Sequence, residues 1–316
     1  MKEIRIDKLT GDKVIYVSFR SKRPHDKLKS TNDFYDEDLE YNEKCPFCRG
    51  NEDTNGDIKE VIDGEGGWIA KSVANKFPIV DMESNDIFGE HEVIIENFRH
   101  NAKFFDMTIA DFKNFLELYK NRFSELKSKN GIEYVSIFKN YKRGSGASLM
   151  HPHSQIISLS EIPPEIEKEA RVAKKFKEKN NSNLYEHIVE TESQIGDRVI
   201  YEGRYFLVYV PEATRYNGEI RIIQKVEGDI SSWVKEIIEE LAYVLKNLFI
   251  RIEDVDGDIP FNLLVHSSYE GKNLEEIRTH IHIVPRKYNF GGFELCTNLF
   301  VCGSDPKELA KLYRFK

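Results

Sequence analysis

Long apolar runs are missing from this chain of 316 residues. No stretch reaches the roughly 18 consecutive apolar residues that a membrane-spanning helix needs, so no membrane partner is expected. The opening Met1-Lys2-Glu3-Ile4-Arg5-Ile6-Asp7 lacks the apolar core of a secretory leader, and the expected location is the cytoplasm. Cysteine is scarce: four residues are too few for a disulfide scaffold at this length. Positive charge is in deficit, with 46 Lys and Arg against 54 Asp and Glu, a net charge of −8. No nucleic-acid partner is expected from such a balance, and an anionic substrate must be held by a local basic cluster. What remains is the composition of a globular protein, 40% hydrophobic and 32% charged. The length allows one large domain or two ordinary ones.

The most informative stretch is Gly146-Ala147-Ser148-Leu149-Met150-His151-Pro152-His153-Ser154-Gln155. Side chains alternate along a strand, so His151, His153 and Gln155 are expected on one face. The small-residue loop Gly144–Ser148 before it lets backbone amides approach an anion closely. An imidazole beside such a cradle suits nucleophilic catalysis of nucleotidyl transfer. Cys45-Pro46-Phe47-Cys48 has the spacing of a metal knuckle. A redox pair usually opens a helix, whereas the following Arg49-Gly50-Asn51-Glu52-Asp53 reads as a turn. Cys296 and Cys302 lie in apolar sequence and are expected as buried free thiols.

Helical spacing of Ile109, Phe112, Phe115, Leu116, Tyr119, Phe123 and Leu126 predicts a helix from about Thr108 to Ser128. Strands are expected at 12–18, 91–96 and 134–139, then the loop and the His-Pro-His strand. The second half repeats the order: strands at 205–210 and 219–223, a helix at about 230–251, a strand at 261–266 and His280-Ile281-His282 at its close. Helix, strand and a strand bearing His-x-His in both halves imply an internal duplication of α+β class. A charged helix at about 164–178 and the polar run Lys179–Asn183 suggest a boundary, giving domains 1–180 and 181–316.

Together, Arg20-Ser21-Lys22-Arg23-Pro24, the Cys45/Cys48 knuckle, Asn140, Gly146-Ala147-Ser148, His151-Pro152-His153-Ser154-Gln155 and Gly292-Phe293-Glu294 resemble one known family. It is that of the galactose-1-phosphate uridylyltransferases within the histidine-triad superfamily, including their ADP-glucose phosphorylase-like branch. The resemblance implies two tandem histidine-triad-like modules with antiparallel sheets and packed helices. It implies a covalent nucleotidyl-histidine on His153 that moves a nucleoside monophosphate between a nucleotide sugar and a hexose-1-phosphate. Gln155, Ser148 and the amides of Gly146 and Ala147 would contact the phosphoryl group. Arg20 and Arg23 would hold phosphate, Asn75 and Asn140 the nucleotide side, and Phe293 and Glu294 the sugar. A structural zinc would sit on Cys45, Cys48, His100 and His151, with His91 a competing ligand. A second metal, iron or zinc, would sit on Glu169, His266, His280 and His282. A homodimer is implied as well.

Lys76, Tyr288, Gly291 and Phe293 depart from the family pattern where ribose or sugar is contacted, so weakened selection for galactose is expected. Two rival readings stand beside transfer to a hexose-1-phosphate. One is a nucleotide-sugar or dinucleoside-polyphosphate phosphorylase or hydrolase with the same nucleophile. The other is a non-enzymatic, zinc-stabilised nucleotide-binding protein, against which His153, Gln155 and Ser148 count, since binding alone needs no nucleophile.

Overall fold

A computed structural model describes residues 2–18, 39–51, 56–269 and 274–316. In chain order its elements are β1 (Lys2–Ile6), β2 (Lys13–Val17), β3 (Ile58–Gly64), β4 (Gly67–Ala74), β5 (His91–Ile95), α1 (Ile109–Lys127), β6 (Tyr134–Tyr141) and β7 (His153–Leu159). Then follow α2 (Pro164–Asn180), α3 (Leu184–Ile195), β8 (Val199–Glu202), β9 (Phe206–Tyr209), β10 (Ile220–Gln224), α4 (Lys235–Asp256), β11 (Phe261–His266), β12 (His280–Pro285), α5 (Gly292–Thr297), β13 (Phe300–Cys302) and α6 (Pro306–Tyr313). No helix among the described residues is long and apolar enough to cross a membrane.

Two compact units result, and they are not the sequential halves 1–180 and 181–316. One takes the described residues up to Ser18, Pro164–Glu227 and Arg251–Lys316; the other takes those from Leu39 to Pro163 and Gly228–Ile250. The reasons are local. β2 pairs in parallel with β13, which ties the start of the chain to its end. Phe249 of α4 packs its ring edge-on against Phe104 at 4.8 Å, which ties most of α4 to the other unit. The polar run at 179–183 is a tight turn rather than a linker: Asn181 is left-handed at φ +53°, and Asn183 caps α3 through its side chain.

The unit bearing the His-Pro-His stretch contains five strands in the order β3-β4-β5-β7-β6, antiparallel throughout. β5 and β7 pair as His91↔Ile157, Val93↔Gln155 and Ile95↔His153, so these six side chains share one face. Glu92, Ser154 and Ile156 fall on the other, where α1 packs. Thr108 caps α1 in a reciprocal box with Asp111, and Phe112, Phe115, Leu116, Tyr119, Phe123 and Leu126 are buried along it. Arg122 also points inward. Its Nε and Nη2 donate to the two oxygens of Glu92 at 2.8 and 2.7 Å, and Ser72 donates to the same carboxylate at 2.7 Å.

The other unit carries the antiparallel order β11-β12-β10-β9-β8, with His266↔His280 and Arg221↔His282 paired across strands. The two units repeat one pattern, but the repeat is offset from the one read in sequence. Extending the β6–β7 register by two residues sets Asn140 level with His153, as His266 is level with His280. His280 therefore corresponds to His153 and His282 to Gln155, whereas matching the two His-x-His motifs directly would pair His280 with His151.

Arg122 and Glu92 side chains are 3% and 1% exposed, so removing one strands the other's charge in the interior, at a cost of about 3–5 kcal/mol. Arg122→Met should lower the unfolding free energy in urea by about that much, and adding Glu92→Gln should recover part of it. An unchanged midpoint for the single variant would contradict this packing.

Candidate functional site

β7 begins at His153, so His151 stands just before the strand rather than on it. Three successive carbonyls at this entry are all taken. His153 Nδ1–H donates to the His151 carbonyl at 2.7 Å, the Glu96 amide donates to that of Pro152 at 3.0 Å, and Lys139 Nζ donates to that of His153 at 3.0 Å. A carbonyl can only accept, so Nδ1 of His153 carries the proton and Nε2 keeps its lone pair. Burial lowers the His153 pKa to about 4, and the Lys139 ammonium adds to the effect. The ring is thus neutral near pH 7. Phe47 packs on it at 5.3 Å between ring centres. Lys139 is itself buried and paired with buried Glu96 at 2.5 Å.

Gln155 shares the His153 face. Its Oε1 lies 2.8 Å from His91 Nε2, and Asn75 Nδ2 lies 3.1 Å from the same nitrogen. Asn140 comes beside the loop: a side chain added at Gly146 would meet Asn140 Nδ2 at 3.8 Å. The anion cradle expected from backbone amides is not offered by Gly146 and Ala147. Their N–H groups donate to the carbonyls of Arg143 and Lys142 at 2.9 and 3.2 Å, closing the turn on itself. Gly146 adopts φ +97°, which favours glycine there. Ser148 is exposed.

Cys45, Cys48, His100 and His151 are buried, and their ligand atoms lie within 4.8 Å of one another. Cys48 Sγ is 3.5 Å from His100 Nδ1 and 3.6 Å from His151 Nδ1. His151 Nε2–H donates to the Asn97 carbonyl at 2.8 Å, which leaves Nδ1 bare toward the sulfurs. Burial pushes the Cys45 thiol up to about 12 and the His151 imidazole down to about 3. Two thiols and two imidazoles, all buried, fit one tetrahedral cation. His91 is not part of this cluster; it is committed to Gln155.

Glu169, His266, His280 and His282 form the second cluster within the same limit. His280 Nδ1–H donates to the Arg278 carbonyl at 2.8 Å, and His282 Nδ1–H donates to Glu219 at 2.6 Å. The Nε2 atoms of both rings are buried with no hydrogen-bond partner. His280 Nε2 lies 3.4 Å from a Glu169 oxygen. One carboxylate and three imidazoles gathered this closely could hold a cation. Glu169 is held well below the usual carboxylate range: burial opposes its charge, but His266 and His280 overcome that.

Arg20 and Arg23 lie outside the described residues. Phe293 and Glu294 belong to the other unit, on the short helix α5; Phe293 is exposed, and Glu294 accepts the Gly291 amide at 3.0 Å. Cys302 is buried as expected, but Cys296 is exposed on α5. Sequence reading missed Lys139, Glu96, the Asn97 carbonyl and Glu219. A charged residue inside the apolar strand Val135-Ser136-Ile137-Phe138-Lys139 was the available signal for the first.

The family model described as "Galactose-1-phosphate uridyl transferase, N-terminal domain" matches residues 1–163, and "Domain of unknown function (DUF4921)" matches residues 84–313. The chain belongs to the galactose-1-phosphate uridyl transferase family. ADP-glucose phosphorylase of Arabidopsis thaliana is 28% identical over 332 residues, covering 99% of this chain and 92% of that protein. Galactose-1-phosphate uridylyltransferase of Saccharomyces cerevisiae is 25% identical over 311 residues, covering 89% and 83%. The crystal structure of the Arabidopsis thaliana phosphorylase with bound ADP-glucose matches with a TM-score of 0.86 at 26% identity, over 100% of this chain and 99% of that one. A solved uridylyltransferase shares the fold at a TM-score of 0.75 and 23% identity, over 99% and 97%. These relatives are a transferase and a phosphorylase, and this member of the galactose-1-phosphate uridyl transferase family is an enzyme of the same nucleotidyl-transferring kind.

Cys45→Ser with Cys48→Ser should remove about one metal equivalent per chain by elemental analysis and lower the melting temperature, because metal-binding free energy is folding free energy. Retention of full metal content and melting temperature would contradict the first cluster.

Proposed function

We propose that the protein carries a nucleoside monophosphate from a nucleotide sugar to a phosphate-bearing acceptor, through a covalent bond to His153. The observation that carries this reading is the fixed tautomer of His153, whose neutral Nε2 is left as a nucleophile. In the first half-reaction Nε2 attacks the α-phosphorus. The P–O bond to the sugar-1-phosphate breaks, and that product leaves with the oxygen and its electron pair. In the second, a phosphate oxygen of the acceptor attacks the same phosphorus and the P–N bond breaks, returning the neutral imidazole. Gln155 and Ser148 donate to the non-bridging oxygens as charge develops. Arg20 and Arg23 take phosphate contacts, Asn75 and Asn140 the nucleotide, and Phe293 and Glu294 the sugar.

The ion we assign to Cys45, Cys48, His100 and His151 is zinc, from its two thiolates and two imidazoles. It supplies rigidity, holding His151 two residues from the nucleophile. Nitrogen-rich Glu169, His266, His280 and His282 suit iron or zinc. The assembly we propose is a homodimer.

ADP-glucose is the donor we favour, because the similarity to the ADP-glucose phosphorylase spans nearly the whole chain in sequence and in structure. Inorganic phosphate is then the acceptor, which makes the reaction a phosphorolysis. Transfer from UDP-glucose to galactose-1-phosphate is the second reading, supported by the uridylyltransferase relatives. Lys76, Tyr288, Gly291 and Phe293 weigh against tight galactose selection.

ADP-glucose with phosphate should give the highest kcat/KM in a matrix of ADP-glucose, UDP-glucose and UDP-galactose against phosphate and hexose-1-phosphates. A preference of about 1,000-fold or more, roughly 4 kcal/mol, for the UDP-glucose and galactose-1-phosphate pair would overturn that choice. His153→Gly should lower kcat by at least about 1,000-fold with binding of nucleotide sugar retained. A fully active His153→Gly enzyme would overturn the whole reading.

A further inference from the structure

His91 was a candidate metal ligand by sequence, and the fold uses it elsewhere. It opens β5 directly across from Ile157, so its side chain lies diagonal to Gln155 on the His153 face. The Ile79 amide donates to His91 Nδ1 at 3.3 Å. A peptide N–H cannot accept, so Nδ1 is bare and the ring proton sits on Nε2. Burial lowers the His91 pKa and keeps a second proton off the ring. Of the two groups near Nε2, Gln155 Oε1 at 2.8 Å can accept the proton. The Asn75 amide turns its nitrogen to the ring because its oxygen accepts from the Phe77 amide at 2.9 Å.

We propose that His91 is a positioning residue for nucleotidyl transfer: by donating Nε2–H to Gln155 Oε1 it fixes the Gln155 carboxamide so that the NH2 group, not the oxygen, is presented to the phosphoryl group. A carboxamide rotates freely between two faces of opposite character, and the wrong one would set an acceptor against phosphoryl oxygens. The other unit repeats the device. Extending the β10–β12 register by one residue sets Glu219 across from Val284, hence diagonal to His282, and Glu219 accepts from His282 Nδ1 at 2.6 Å. His91 stands to Gln155 as Glu219 stands to His282. In both places a residue at the start of the neighbouring strand, His91 opening β5 and Glu219 just before β10, contacts a functional side chain through one hydrogen bond. The same ring also ties the segment Asn75–Ile79 to Gln155, since the Ile79 amide donates to His91 Nδ1 at 3.3 Å.

This inference rests on the reading of His153 as nucleophile, and its test separates the two. Kinetics with ADP-glucose and phosphate are compared for wild type, His91→Ala, Gln155→Ala and the double variant, with melting temperatures recorded. Loss of one donor to developing charge costs about 10²–10³ in kcat, which sets the scale for Gln155→Ala. His91→Ala should lower kcat by at least about tenfold on that scale with little change in KM. The double variant should be no slower than Gln155→Ala alone, because His91 acts through that amide. His91→Gln, whose amide nitrogen falls near the place of Nε2, should restore most of the rate, whereas the shorter His91→Asn should not. A second readout needs no turnover. In protein with 15N-labelled glutamine, the Gln155 side-chain NH2 resonance, identified by its loss in Gln155→Ala, should shift in His91→Ala and return in His91→Gln. Effects that multiply in the double variant, or a resonance unmoved by His91→Ala, would overturn the role of His91. An inactive wild type on every nucleotide sugar would instead defeat the proposed function, with the resonance still deciding the position of the amide.

Discussion

Everything at this site depends on how the chain enters β7. The carbonyls of His151, Pro152 and His153 are each held by a different donor, and His151 is held again by its ring on the Asn97 carbonyl. A neutral hydrogen bond contributes about 0.5–1.5 kcal/mol net, and one to a charged group about 1.5–3. Three such bonds on consecutive residues leave the His153 ring little freedom. A misplacement of about 1 Å can cost a factor of about 10² in rate, so on the proposed role of His153 this rigidity would serve turnover. A cation held by Cys45, Cys48, His100 and His151 would serve the same end, since it would fix His151 as a ligand.

Lys139 and Glu96 form a buried ion pair. Such pairs rarely stabilise a fold relative to apolar residues of like size. What this one does is local. Lys139 reaches the His153 carbonyl while its charge is balanced by Glu96. Its positive charge behind the imidazole, added to burial, disfavours protonation of His153. On the proposed role of His153 as nucleophile that matters, because protonation would remove the lone pair that attacks.

Much of this was legible in the sequence, for reasons that can be named. α1 announced itself through a helical apolar stripe, and it runs within one residue of its expected ends. The Cys45/Cys48 spacing is narrow enough to mark a metal knuckle by itself, the two full ligand sets followed from the family resemblance, and the fold brings each set together. The misses come from interactions that sequence does not encode locally. The Gly146 and Ala147 amides are consumed by their own turn, which depends on a backbone conformation and not on composition. Cys296 is exposed because α5 is a single short helix with no buried residue. The offset of two residues between the duplicated motifs emerges from strand register alone: Arg278 stands where His151 stands, so a shared His-x-His spelling misaligned them. The unit boundary was hidden because pairing of β2 with β13 joins segments almost 300 residues apart in sequence.

The central claim is a covalent nucleotidyl bond to Nε2 of His153. Protein incubated with ADP-glucose labelled in the α-phosphate, without acceptor, is quenched in base and digested, and the label is located by mass spectrometry. The expected result is about one label per active chain, on the peptide containing His153, stable to base, released by mild acid and discharged by added phosphate or hexose-1-phosphate. Full turnover with no label on His153 at any stage, or label on another residue, would contradict it.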